Sequence, residues 1–139
     1  MRIRAIILGV AALAVTHLVA VQARADSCWW HNGSLMRLES SGSKRSFVYE
    51  RPKPELRRSG IQEGTLLFDG VRRGTRYTGT ARVFSRYCLA HPLEYAVEGS
   101  VSRNDTRVVL RGTREVQERC APAGRVRTDR MVFGYAFDC

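Results

Sequence analysis

The closing stretch "MVFGYAFDC", residues 131–139, decides the fold class. Met131, Phe133, Tyr135, Phe137 and Cys139 fall on one side of an extended chain. Val132, Gly134, Ala136 and Asp138 fall on the other. A repeat of two is the signature of a strand with one buried face. The same alternation runs backwards through the sequence. It recurs in "LEYAVEGSV" (93–101) and "RYTGTARVF" (76–84), and in shorter form at 34–39, 46–50, 64–69 and 107–112. Helical periodicity is almost absent.

The strands read as hairpins. In "LLFDGVRRGTRYTGTARVF" (66–84) a Gly-bounded turn separates two alternating runs, and "YAVEGSVSRNDTRVVLRG" (95–112) has the same plan. A tip at Asn104-Asp105 sets Val101 opposite Val108 and Gly99 opposite Leu110, so apolar residues face apolar residues. Extended further, that register leaves Cys88 one step from Cys120, a gap that one bulge closes. Cys28 and Cys139 then fasten the two ends of the domain. Two other pairings of the four cysteines remain open on arithmetic alone. Gly79, Gly99 and Gly134 lie inside strands, where glycine permits bending and close approach. The expectation is an all-β domain. Seven or eight antiparallel strands form a small meander barrel, calycin-like, or a sandwich, with two disulfides.

The first 25 residues read as a secretory signal. Arg2 and Arg4 precede the apolar run "AIILGVAALAV" (5–15), and Ala23-Arg24-Ala25 supplies a small-x-small cleavage pattern. That run is far short of the roughly 20 residues needed to cross a bilayer. Cleavage after Ala25 leaves residues 26–139 as a single barrel domain, periplasmic or secreted. A lipid-anchored form, with Cys28 as acceptor, is the lesser alternative. An even cysteine count in a short exported chain implies disulfides.

Charge points to partners. Three of the 23 basic residues and none of the 13 acidic ones lie in the leader, leaving +7 on residues 26–139. Beyond the leader only Lys44 and Lys53 are lysines; the rest are arginines, which bind phosphates and carboxylates bidentately. Codon bias explains the same ratio without function. In a meander, the short turns 40–45, 70–75 and 102–106 share one rim. The long loops 51–63, 85–92 and 113–129 share the other. Function favours long loops on a rigid frame. Arg57, Arg58, Arg86, Tyr87, His91, Arg125 and Arg127 ring that second mouth and form the candidate binding face for an anionic envelope polymer or an acidic protein. Nucleic acid is not expected as a physiological partner of an exported chain.

Catalytic patterns are missing. The sequence holds no G-x-S-x-G, no H-E-x-x-H and no Gly-rich phosphate loop. Cys28 and His31 have C-x-x-H spacing but too few companions for a metal, so neither metal nor cofactor is expected. A non-catalytic binding module is the first expectation. The alternatives are an inhibitor of an envelope or host hydrolase, a lipocalin-like carrier of an apolar ligand, and a cell-wall glycan hydrolase, which would need two close carboxylates in a cleft. His31-Asn32-Gly33 marks a tight primed turn. Trp29 and Trp30, if extended, point to opposite faces, one into the core or a barrel end, so Trp29 is a possible ligand contact.

"WHNGSLMRL" (30–38) resembles the first strand of the avidin family, in which a Trp and an Asn precede Gly-Ser-x-Met. The resemblance implies that Asn32 and Ser34 hydrogen-bond a ligand. Those proteins wrap biotin with later tryptophans, and none follows Trp30 here, so biotin binding is not expected. The overall plan is similar to small exported barrels that inhibit c-type lysozymes. A +7 protein would repel those basic enzymes. "WWHNGSLMRLE", "GTLLFDG" and "RYTGTARVFSRYC" together resemble an uncharacterised module of exported bacterial proteins, sometimes attached to caspase-like peptidase domains, which brings no known activity.

Overall fold

Eight antiparallel strands close on themselves in chain order: β1 (Ser27–His31), β2 (Ser34–Ser41), β3 (Lys44–Arg51), β4 (Leu66–Arg73), β5 (Arg76–Val83), β6 (Leu93–Val101), β7 (Arg107–Glu118) and β8 (Ala121–Asp138). The computed structural model describes residues 26–139. The expected leader therefore lies outside the described residues. No described helix is long and apolar enough to cross a membrane. β1 pairs with β8, so the sheet has no free edge.

Local chemistry explains the joints. Asn32 and Gly33 both take positive φ (46° and 79°), the primed turn expected there. A two-turn 3-10 helix, Pro54–Ser59, interrupts the β3–β4 loop. The register between β6 and β7 is the expected one, with Val101 opposite Val108 and Gly99 opposite Leu110. Both expected disulfides form, Cys28–Cys139 and Cys88–Cys120. A thiol committed to Cys139 cannot carry a lipid, so the lipid-anchor alternative has no acceptor at Cys28. Gly70 and Gly79 face each other across β4 and β5. A Cβ on Gly70 would sit 2.1 Å from the Thr78 carbonyl oxygen and 2.8 Å from the Phe68 ring, so the two strands pinch together only because both lack side chains.

The inward faces of the strands supply the core. Met36, Phe47, Phe68, Val108, Leu110 and Phe133 are fully buried. Each contributes about 1.5–3 kcal/mol by leaving water. The rings are ordered. His31 stacks on Phe133 at 4.4 Å, and Phe133 lies nearly parallel to Phe47 at 3.9 Å. Phe68 and Tyr77 continue the series at 6.4 and 6.3 Å, and Trp29 meets Phe47 edge-on.

Two expectations need correction. Residues 113–129 are not a loop. β7 and β8 run on as a two-stranded ribbon to a turn at Arg119-Cys120, where both residues have positive φ (49° and 69°). Apolar alternation stops there because the ribbon has no core to face, so its strand character leaves no hydrophobic trace. The inward face of β8 is also shorter than its periodicity implies. Met131 and Phe133 are buried, but Tyr135 and Phe137 are 41% and 49% exposed. A bulge between Cys28 and Trp29 shifts the β1–β8 register at that point, and the last residues extend past the core.

Candidate functional site

The barrel has two mouths, separated by Phe47, Phe68 and Phe133, which line neither. This ring layer fills the middle of the barrel. A long apolar molecule therefore cannot thread it from end to end, while each mouth stays open to a small ligand, as the lipocalin-like alternative requires.

The mouth on the short-turn side holds a cavity of about 670 Å³, lined by Trp29, Tyr77, Tyr135, Arg72, Asp105 and Asp138 among others. Most of its polar groups are already satisfied. The Trp29 indole N–H donates to Ser27 Oγ at 2.8 Å, and the Tyr135 hydroxyl donates to Asp138 at 2.8 Å. Arg72 pairs with Asp105 at 2.8 Å. One carboxylate oxygen of Asp26, the first described residue, is the buried exception.

The mouth on the long-loop side is smaller, about 370 Å³, and differently built. Its apolar floor is Leu56, Ile61, Leu67, Phe84 and Met131. Above this floor, the inward parity of Leu110 and Met131 continues into the ribbon and aims Arg114, Arg127 and Asp129 over the opening. Asp129 is the hub. It accepts from the Tyr95 hydroxyl at 3.2 Å, forms a short ion pair with Arg114, and accepts from Arg127 Nε at 2.9 Å. Arg114 and Asp129 are largely buried, so this network is less screened than the surface pairs. Burial chiefly, with help from the Asp129 carboxylate, pushes the Tyr95 hydroxyl up to about 12. Burial alone pushes Tyr49 up to about 12. Both phenols stay protonated near neutrality and act as donors. The Tyr49 hydroxyl lines the cavity and donates to no group among the described residues.

His31 closes the wall beside the turn. Its Nδ1–H donates to the Val132 carbonyl at 2.9 Å, which leaves Nε2 to accept from the Asn32 amide at 3.3 Å. Burial first, and the Lys53 charge in addition, lower its pKa, against the raising effect of the Val132 bond. His31 is therefore a neutral, fixed ring rather than a cation.

The residues expected from sequence are dispersed. Of the seven rim residues, Arg127 alone lines the cavity. Arg57 and Arg58 are exposed on the 3-10 turn. Arg86 donates to its neighbour Tyr87 at 2.7 Å, and Arg125 pairs with Glu118 at 3.1 Å. His91 borders a separate void of about 50 Å³ beneath the Cys88–Cys120 bridge. Asn32 does reach the long-loop mouth. Ser34 is buried and accepts from the Lys53 backbone N–H at 3.0 Å, which ties down the long β3–β4 loop. Trp29 belongs to the opposite mouth. Tyr49, Arg114 and Asp129 carry no sequence motif that marks them for this mouth. Parity along β3 would have flagged Tyr49, whereas the other two lie where no alternation was visible.

No group of three or more His, Cys, Asp or Glu side chains able to hold a metal occurs among the described residues. No protein-family model matches the chain, and no curated protein does. Among solved structures, rhizavidin in its complex with biotin is similar with a TM-score of 0.54 and 16% identity, over 83% of this chain and 94% of that one. Intact apo afifavidin is similar with a TM-score of 0.49 and 18% identity, over 86% of each chain. The architecture is thus a closed eight-stranded, avidin-like barrel with two disulfides.

Proposed function

We propose that this protein is a non-catalytic, exported binder of a small polar molecule, held in the long-loop mouth. One observation carries the reading. A concave site of about 370 Å³ sets an unengaged, protonated Tyr49 hydroxyl and a pre-ordered Tyr95–Asp129–Arg114 network above an apolar floor. Sites of this size, with few fixed polar groups over apolar walls, suit small ligands. The fitting molecule offers an acceptor to Tyr49 and Arg127 and rests an apolar part on Ile61, Leu67 and Met131. In the larger mouth Trp29, Tyr135 and Arg72 already hold partners, and although the Tyr77 hydroxyl, like that of Tyr49, has none among the described residues, no pre-ordered network stands beside it. Likeness to a barrel solved with biotin supports the class of function only. This mouth has no tryptophan, so biotin itself is not proposed.

A screen of neutral amide and heteroaromatic fragments, read by amide chemical shifts, tests the proposal. Binders should perturb Tyr49, Tyr95, Asp129 and Met131, and Tyr49→Phe should weaken them about tenfold, the value of one hydrogen bond into a desolvated site. Perturbations confined to the opposite mouth would sink the reading.

A second reading keeps the arginine rim as a grip for an anionic envelope component or acidic protein. Its support is that Arg57 and Arg58 stand exposed at the same opening with no carboxylate partner among the described residues. Binding of that kind weakens steeply with salt.

A further inference from the structure

The outer wall of the barrel carries a second surface, which meets the long-loop mouth only at Arg130. Register defines it. Trp30 and Arg107 both pair with Gly134, so the three side-chain positions form one row on one face. The next row is Val132 opposite Val109, and the next is Arg130 opposite Arg111. Met131 and Phe133 point inward and are buried, so this row series points out.

Three features of the patch have no structural purpose. Arg111 and Arg130 are like charges directly opposite each other, an arrangement that destabilises a sheet. Neither they nor Arg107 forms an ion pair among the described residues. Glu98, the cross-strand neighbour of Arg111 on β6, is turned to Arg76 at 2.5 Å. Trp30 is 47% exposed, an unusual placement for a large ring in a domain whose other rings are mostly stacked inside. Between Trp30 and Arg107 lies an open slot, because a Cβ on Gly134 would meet no atom within 4 Å.

We infer that this face binds an acidic polysaccharide, with a pyranose ring against Trp30 and its carboxylates on Arg107 and the Arg111–Arg130 pair. The dimensions suit a chain rather than a lone ion. Strand spacing puts Trp30 and Arg107 about 9–10 Å apart, and four residues of β7 put Arg107 and Arg111 about 13 Å apart. A bound carboxylate between Arg111 and Arg130 removes the repulsion that the bare fold carries, and guanidinium forks match that group bidentately. A local conflict of this kind marks a functional surface.

Calorimetric titration of the disulfide-bonded protein with hexagalacturonate tests the inference, with isomaltohexaose as the neutral comparator and tripolyphosphate as the sugar-free anion. Hexagalacturonate should bind, isomaltohexaose should not, and added salt should weaken the complex. Arg111→Gln with Arg130→Gln should weaken it at least about tenfold, the loss of two charge-assisted contacts, while leaving the melting temperature equal or higher. Gly134→Val should block it with no loss of fold, since the position faces open space and lacks positive φ. Arg57→Gln with Arg58→Gln should leave it unchanged. The inference is overturned by absent hexagalacturonate binding, or by loss of binding on changing Arg57 and Arg58 but not the wall. It also fails if tripolyphosphate binds as tightly and Trp30→Ala has no effect, which would reduce the patch to a sugar-blind anion site.

Discussion

β7 and β8 form one hairpin with two lives. From Arg107 to Gly112 and from Asp129 to Gly134 it is barrel wall, and Val108, Leu110, Met131 and Phe133 are buried. Between Thr113 and Thr128 the same two strands form a free ribbon with no buried residue. The hydrogen-bond ladder barely changes across the boundary; only the neighbour on the inner side does. Strand geometry is therefore separable from strand stability here. The wall is held by burial, and the ribbon by its turn, its cross-strand pairs and the Cys88–Cys120 bridge at its tip. It is the unburied half that carries Arg114 and Arg127 to the mouth, where they meet Asp129 at the edge of the wall.

The contrast is broken most sharply by truncating each half. Phe133→Ala should cost about 5 kcal/mol, the upper end for a buried Phe, because Phe47 and His31 flank its ring and the gap cannot collapse. Val126→Thr on the ribbon should stay within about 0.5 kcal/mol, as surface changes do. Urea unfolding of both variants measures the difference. Comparable losses would mean the ribbon has a burying partner.

The two bridges sharpen the same comparison. Cys28–Cys139 closes a span of 111 residues and Cys88–Cys120 one of 32. Chain entropy then makes the first worth about 5 kcal/mol and the second about 4 kcal/mol. Replacing each pair by alanine and comparing melts checks the order. Loss of the second should also raise amide exchange within 113–128 selectively, since only the ribbon depends on it locally.

Asp129 sits at the boundary and links the halves. Asp129→Ala strands a largely buried Arg114 beside Arg127 and removes the acceptor of Tyr95, a cost of about 1–3 kcal/mol. The spectroscopic readout is independent of stability. Tyr95 should titrate below its value of about 12 but still above an ordinary tyrosine, because burial is the larger cause and remains.

The same boundary explains what the sequence made legible. Alternation is a record of burial, so it showed β5, β6 and the wall part of β8 wherever one face met the core. The register from the Asn104-Asp105 tip points to within one step of the Cys88–Cys120 pair, and Cys28 and Cys139 are then left for each other. It could not show the ribbon, whose faces are both polar. Arg114 and Asp129 are hidden with it, and Arg125 and Arg127 look like loop residues in the sequence although they lie on β8. The first-strand resemblance points to Asn32 and Ser34 alike, and only packing separates them: one borders the mouth, the other is spent on the Lys53 backbone. Tyr135 and Phe137 show the converse, an apolar alternation that outruns the core.

The smallest effect concerns pH, and its sign follows from His31. Burial lowers its folded pKa below the ordinary value of 6.5. In the unfolded chain the ring takes up a proton as pH falls past 6.5, while the folded ring does not until pH is lower still. Between those two points the unfolded state binds more protons, so stability declines as pH falls and levels off once the folded ring also titrates. Above 6.5 both forms are neutral and the contribution is fully present. His31→Gln should lower the melting temperature at pH 7, through the lost stack on Phe133 and the strained fit to Val132, yet flatten the decline that begins as pH falls past 6.5. An unchanged slope in that variant would place the proton uptake elsewhere and return His31 to a purely steric part in the mouth.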